Sequence, residues 1–384
     1  MLPDRSINTA LVHPVLIDPF EPLSSPPARF APETRFLPAA AFTSTHSPVG
    51  ICLRERSNPR DGILKTSNSM ESRLLGGTDL QVSGVGFGTV QLGQKYGPGR
   101  PDPPDEATSM RLIRHAVERG ISLIDTAPGY GTEETVGKAV ADLSPRPTMA
   151  TKVHTTPPLS PGTPALQGKM LEMHVLDSIA KSLKALGSDS LDLVQIYMSG
   201  LSPPVPDELV DVMERLKEQG EVRHWAATTY GPQEPADVLS RGEPFGSIQL
   251  AFNILDRTLG SQIIPRCHAQ GVGLLVRNVF FQGVLSPAVE KLPDRLADLR
   301  DVGRRVGAAA AEAGIPLPEM ALRFAAFESQ AHVTLFGTTS EIEIVANVAA
   351  FEAGPLPTDV IEALDQEFIE DERLRNPANW ASLL

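Results

Sequence analysis

Cysteine is scarce in this chain: Cys52 and Cys267 are the only two among 384 residues. Two thiols build neither a disulfide framework nor a cysteine-rich metal cluster, so an intracellular, cytoplasmic setting is expected. Long apolar runs are lacking as well. None approaches the roughly 20 residues of a membrane helix, so no membrane partner is expected. Positive charge is in deficit, with 34 Lys and Arg against 47 Asp and Glu and a net charge of −13. Phosphate backbones need concentrated Lys and Arg, so nucleic acid is not an expected partner. His115, His174, His224, His268 and His332 are scattered without metal-ligand spacing, and no metal is expected. Gly84-Val-Gly86-Phe-Gly88 imitates a dinucleotide loop, but the G-x-G-x-x-G spacing is missing and no helix starts directly behind it. A Rossmann domain is therefore excluded.

The chain is 41% hydrophobic, enough for a large core. Residues 1–70 differ from the rest: they hold ten prolines and many serines, with neither helical nor strand period. They read as a disordered N-terminal extension. Asp4 and the later acids argue against a targeting peptide, and Met70 is an alternative start. Residues 71–384 read as one domain.

That domain opens with Arg73 to Val82, two short strands around a Gly-Gly-Thr-Asp turn, expected as a hairpin capping a barrel floor. Strands and helices then alternate, which points to βα units and a parallel sheet. Eight strands are expected, at 84–87, 121–125, 148–152, 191–197, 222–228, 247–251, 272–277 and 333–337. Asp105 to Arg119 has Met110, Ile113, Ala116 and Val117 at helical spacing; Met170 to Leu186 has Met173, Leu176, Ile179, Ala180 and Leu183. Asp207 is expected to cap a helix that runs to Gln219 and closes at Gly220. The fold expected is an α/β (β/α)8 TIM barrel with an N-terminal β-hairpin cap.

Three strands in succession end in polar residues. Ile121 to Ile124 leads into Asp125, with Tyr130 five residues on; Thr151-Lys152 follows Thr148 to Ala150; and Leu191 to Ile196 leads into Tyr197. In a parallel barrel such residues collect on one face, where the active site lies.

The set Asp125-Thr-Ala…Tyr130-Gly131, Thr151-Lys152, Ser182-Leu-Lys-Ala-Leu-Gly…Asp192-Leu-Val-Gln, Gln249, Asn253 and Gly337-Thr-Thr-Ser…Asn347 resembles the aldo-keto reductases over most of residues 71–384. The resemblance implies an extended nicotinamide cofactor and reduction of a small carbonyl substrate by hydride transfer. Hydride arriving at a carbonyl carbon leaves negative charge on oxygen, which a proton donor must meet. The resemblance makes Tyr130 that general acid/base, Lys152 the group that lowers its pKa and Asp125 the holder of Lys152. Singly, Tyr130 reads equally as a packed loop aromatic, Lys152 as a surface lysine and Asp125 as a cap.

One position departs from the family. Tyr197 stands where a histidine is usual. It substitutes as hydrogen-bond donor, marks reduction of an activated double bond, or signals weakened catalysis and a nucleotide-bound sensor, as in the family's potassium-channel β-subunits. His154 is a further candidate for the missing imidazole.

The resemblance also implies the cofactor contacts. Thr228, Thr229 and Gln249 would meet the nicotinamide carboxamide. Arg277 replaces a stacking tyrosine, or sits in a salt bridge at the rim. Gly337, Thr338, Thr339 and Ser340 enter a helix whose N-terminus suits a phosphate, or Ser340 is simply an N-cap. Asn347 completes the family pattern. Glu343 stands where many NADPH-specific members have arginine, and a carboxylate there repels a 2′-phosphate and suits a ribose hydroxyl. NADP(H) is the family default, with NAD(H) as the alternative. Substrate walls are expected from 89–104, 154–168, 278–295 and the tail around Trp380, with Tyr96, Phe280, Phe281 and Trp380 as apolar contacts or, equally, as ordinary packing. Neither the substrate nor the oligomeric state is legible.

Overall fold

The computed structural model describes residues 70–97, 102–155, 166–199, 201 and 205–380. The expected extension, apart from Met70, lies outside the described residues, as does Cys52.

Strands β1 (Ser72–Leu74) and β2 (Gln81–Ser83) pair antiparallel, with Ser72 opposite Ser83. Eight parallel strands follow: β3 (Val85–Gly88), β4 (Leu123–Asp125), β5 (Thr148–His154), β6 (Leu191–Tyr197), β7 (Val222–Thr228), β8 (Phe245–Ala251), β9 (Gly273–Arg277) and β10 (Val333–Phe336). They close into a barrel in chain order, with β10 bonded to both β9 and β3. This is the expected (β/α)8 barrel. Each strand is a short, largely apolar run because helices cover its outer face and packed side chains fill its inner face.

The interior layer is small and apolar. Leu123, Ala150, Leu193, Ala226, Leu275, Val333 and Leu335 cluster with Leu75, Leu80 and Val82 of the hairpin. The hairpin thus plugs the floor, and Gly77 N donates to Gly271 O at 2.8 Å. Gly76 is required at the plug. Its φ is +56°, and a Cβ there would fall 2.2 Å from Gly273 N.

The helix Glu106–Glu118 is capped by Asp105, whose carboxylate accepts from Thr108 N at 2.7 Å. Leu112, Ile113 and Ala116 form its buried face. Two helix expectations need correction. In the helix Gly168–Leu186 the buried stripe is Leu171, Val175, Ile179, Ser182 and Leu186, while Met173 is exposed. The expected stripe ran along a neighbouring face, since both carry apolar residues at helical spacing. Asp207 is the first helical residue rather than the cap, which is Pro206. Its carboxylate pairs with Arg241 at 2.7 Å and still suits the positive helix end. Among the described residues, no helix is long and apolar enough to cross a membrane.

Candidate active site

Strand register brings the expected residues together. Lys152 lies beside Gln195, and one rung higher His154, Tyr197, Thr228 and Gln249 follow one another around the mouth. Asp125, at the end of β4, is the hub. Its Oδ1 accepts from Lys152 Nζ at 2.6 Å, and its Oδ2 accepts from Gln195 Nε2 at 2.8 Å and Gln249 Nε2 at 2.9 Å. Lys152 Nζ also donates to Thr126 O at 3.0 Å. Ammonium and carboxylate are both buried, at 2% and 7% side-chain exposure, so each depends on the other. Removing one partner of such a pair costs about 3–5 kcal/mol.

Tyr130 closes the one-turn helix Pro128–Tyr130 after β4. Hydroxyls hold this loop: Thr132 Oγ1 lies 2.9 Å from both Thr89 Oγ1 and Thr126 Oγ1. The Tyr130 ring centroid is 4.9 Å from Lys152 Nζ. Its pKa, however, moves against expectation. Burial first, then the charge of Asp125, hold the phenol well above its ordinary value. Lys152, the nearest cation to the ring, is itself paired with Asp125 at 2.6 Å.

Every tyrosine of the chain stands in this mouth: Tyr96, Tyr130, Tyr197 and Tyr230 are the four, and all four act on the Arg277 charge. The Arg277 guanidinium lies 4.2 Å from the Tyr230 ring centroid, and its Nη2 donates to Thr229 O at 2.8 Å. It makes no salt bridge with a described carboxylate, so the rim ion pair is not found. Tyr197 and Tyr230 rings lie 5.6 Å apart; burial first, then Tyr230, push the Tyr197 phenol up. The His154 ring packs on Tyr197 at 4.6 Å, with Nδ1 buried and unpaired. Burial, then Lys152 and His174, lower the His154 pKa, keeping the imidazole neutral near pH 7.

Thr228 Oγ1 donates to Gln195 Oε1 at 3.0 Å, and Thr229 Oγ1 to Gln249 O at 3.3 Å. Both hydroxyl protons are thus engaged inside the barrel. Beyond the mouth, Gly337, Glu343 and Asn347 line a cavity of about 450 Å³, and the Asp125–Tyr130 cavity shares Gly337 and Phe280 with it. Ser340 caps the helix Glu341–Glu352 by accepting from Glu343 N, and Thr338 Oγ1 donates to a Glu343 carboxylate oxygen. A Cβ on Gly337 would fall 2.1 Å from Gln91 Oε1, itself a buried acceptor without a partner. A polar cleft running from Asp125 to Glu343, narrowed at a glycine, fits an extended dinucleotide.

Of the four candidate wall residues, two take the packing alternative. Phe281 is fully buried edge-on against Trp380 at 5.3 Å, and Trp380 Nε1 is spent on Leu374 O. Two site residues escaped the sequence reading. Gln195 was signalled by being polar on the inward face of an apolar strand, two residues before Tyr197. Tyr230 had no signal beyond following Thr229. Among the described residues no His, Cys, Asp and Glu cluster could hold a metal.

A (β/α)8 barrel with an ammonium–carboxylate pair and a phenol at one mouth has the layout of a barrel oxidoreductase. Residues 84–367 match the model of the aldo/keto reductase family. The chain is 28% identical over 220 residues to the aldo-keto reductase YhdN of Bacillus subtilis, covering 56% of this chain and 64% of that protein. It thus spans less than two thirds of that relative's length. It is 29% identical over 233 residues to the NADH-specific methylglyoxal reductase of Escherichia coli, covering 56% and 69%. Among solved structures, the holo form of aldo-keto reductase AKR11C1 from Bacillus halodurans is similar, with a TM-score of 0.64 and 26% identity over 80% of this chain and all of that one. The chain belongs to the aldo/keto reductase family. That family comprises oxidoreductases that act on carbonyls with NAD(P)H.

Proposed function

We propose that the chain is an NAD(P)(H)-dependent oxidoreductase that reduces an aldehyde or ketone, or oxidises the corresponding alcohol, with Tyr130 as general acid/base. The observation that carries this reading is the buried Lys152–Asp125 pair at 2.6 Å beside the Tyr130 phenol. A bound nicotinamide supplies or accepts the hydride. The protein's part is the proton and the charge. Tyr130 delivers its phenol proton to the oxygen as charge develops there. Tyr197, braced by Tyr230 and His154, offers a second O–H to the same oxygen. Asp125 holds Lys152, and Gln195 and Gln249 hold Asp125. Thr228, Thr229 and Gln249 would meet the carboxamide through their acceptor atoms, and Arg277 would hold the ring.

NADP(H) is the family default, and Glu343 works against it. Its carboxylate, anchored by Thr338, suits a ribose hydroxyl better than a 2′-phosphate.

The test is stopped-flow oxidation of pre-bound NADPH, and separately NADH, by a reactive aromatic aldehyde. Tyr130→Phe should slow it on the order of 10²–10⁴-fold while cofactor binding persists. Unchanged turnover in that variant would sink the assignment. A second reading, a cofactor-bound sensor with weak turnover, draws on the raised Tyr130 pKa. Tight binding with negligible oxidation in the parent protein would select it, or the reduction of an activated double bond, which an enone substrate then tests.

A further inference from the structure

A second cavity, of about 370 Å³, opens where the loops after β7, β8 and β9 meet the C-terminal segment. Thr258, Arg277, Asn278 and Arg375 are among its walls. Three buried side-chain nitrogens on those walls have no hydrogen-bond partner: Arg277 Nε, Asn278 Nδ2 and Arg375 Nε. An unmet buried donor is costly and therefore rare. Here three belong to residues that line one cavity, all are donors, and two are guanidinium nitrogens.

Other atoms of the same residues are fixed. Arg277 Nη2 donates to Thr229 O and Arg375 Nη1 to Thr258 Oγ1, both at 2.8 Å. Asn278 O accepts from Asn253 Nδ2 at 3.1 Å, and its backbone sits at φ +63°. Arg277, Asn278 and Arg375 are thus fixed at the cavity wall by bonds that leave these three donors unspent. Two acids, Asp256 and Glu372, share the cavity. They balance the two arginines, so a dianion is disfavoured, and they can accept from a ligand's hydroxyls. Arg277 also lines the cavity of Asp125 and Tyr130.

We propose that this cavity binds the carboxylate of a small hydroxy- or oxo-acid, through Arg277, Asn278 and Arg375. Where that acid is the substrate itself, the inference rests on the carbonyl chemistry proposed above; the site does not.

Calorimetric titration of the full chain with glycerate, glycerol and inorganic phosphate tests the site without turnover. Glycerate should bind at least about tenfold tighter than either, because charge-assisted hydrogen bonds to a carboxylate carry the affinity. Arg375→Gln should weaken glycerate at least about tenfold. Asn278→Gly removes the amide while tolerating the positive φ, and guards against a folding defect in the first variant. Equal binding of glycerol, or both variants binding glycerate as the parent does, overturns the proposal. So does loss of glycerate binding at saturating NADH, which would assign the cavity to the dinucleotide. Inhibition by glycerate competitive with glyoxylate identifies the acid as part of the substrate. A noncompetitive pattern identifies a separate acid bound at the same site.

Discussion

Gln195 Nε2 sits 2.8 Å from Asp125 Oδ2, while Lys152 holds the other oxygen of the same carboxylate. The glutamine's own Oε1 accepts from Thr228, so Gln195 links the strand ends of β4, β6 and β7. Gln195→Leu should leave Thr228 without its acceptor and Asp125 one donor short. A stability loss of about 1–3 kcal/mol is expected by denaturant unfolding, together with slower turnover. A variant as stable as the parent would show that Gln249 alone suffices.

A raised phenol pKa gives turnover a direction-dependent pH profile. Tyr130 is held well above the ordinary phenol value by burial and by Asp125. Reduction needs the protonated phenol, so its rate should stay flat from neutral pH to about pH 10. Alcohol oxidation needs the phenolate and should keep rising through that range. Steady-state profiles in both directions check this, and a reduction rate falling below pH 9 would contradict it.

Glu343→Arg should shift preference toward NADP(H), since it replaces a repelling carboxylate with a phosphate partner. Fluorescence titration with NADPH and NADH reads the ratio. Equal shifts for both cofactors would refute this role of Glu343.

His332 gives an acid-sensitive term in stability. Burial, then His268 and Arg73, depress its pKa, and its Nδ1 accepts from Leu274 N at 3.1 Å. The folded state binds this proton more weakly than the unfolded one. The contribution is present above about pH 6.5 and is lost as pH falls through the depressed folded value. Melting scans should show the midpoint falling below that pH. His332→Gln should flatten the fall, and an unchanged slope would place the sensitivity elsewhere.

The barrel was legible because its strands are short apolar runs separated by helical periods; the limits of β6 and β7 match residue for residue. The polar cluster at the mouth was legible because polar residues at strand ends stand out against such runs. Long-range partners were not. Gln195 and Gln249 meet at one carboxylate only through barrel closure, and local pattern says nothing of closure. The phenols around Arg277, drawn from four separate loops and strands, were not legible in the local pattern. The raised Tyr130 pKa was not legible either, because its first cause is burial by the assembled mouth, which spacing does not reveal.

The gathering of all four tyrosines at one mouth has a practical consequence. Any signal peculiar to phenols, such as ultraviolet difference absorption, ring-carbon resonances or nitration by a mild reagent, originates there and nowhere else in the chain. The protein carries its own reporter of ligand arrival, and no label need be attached.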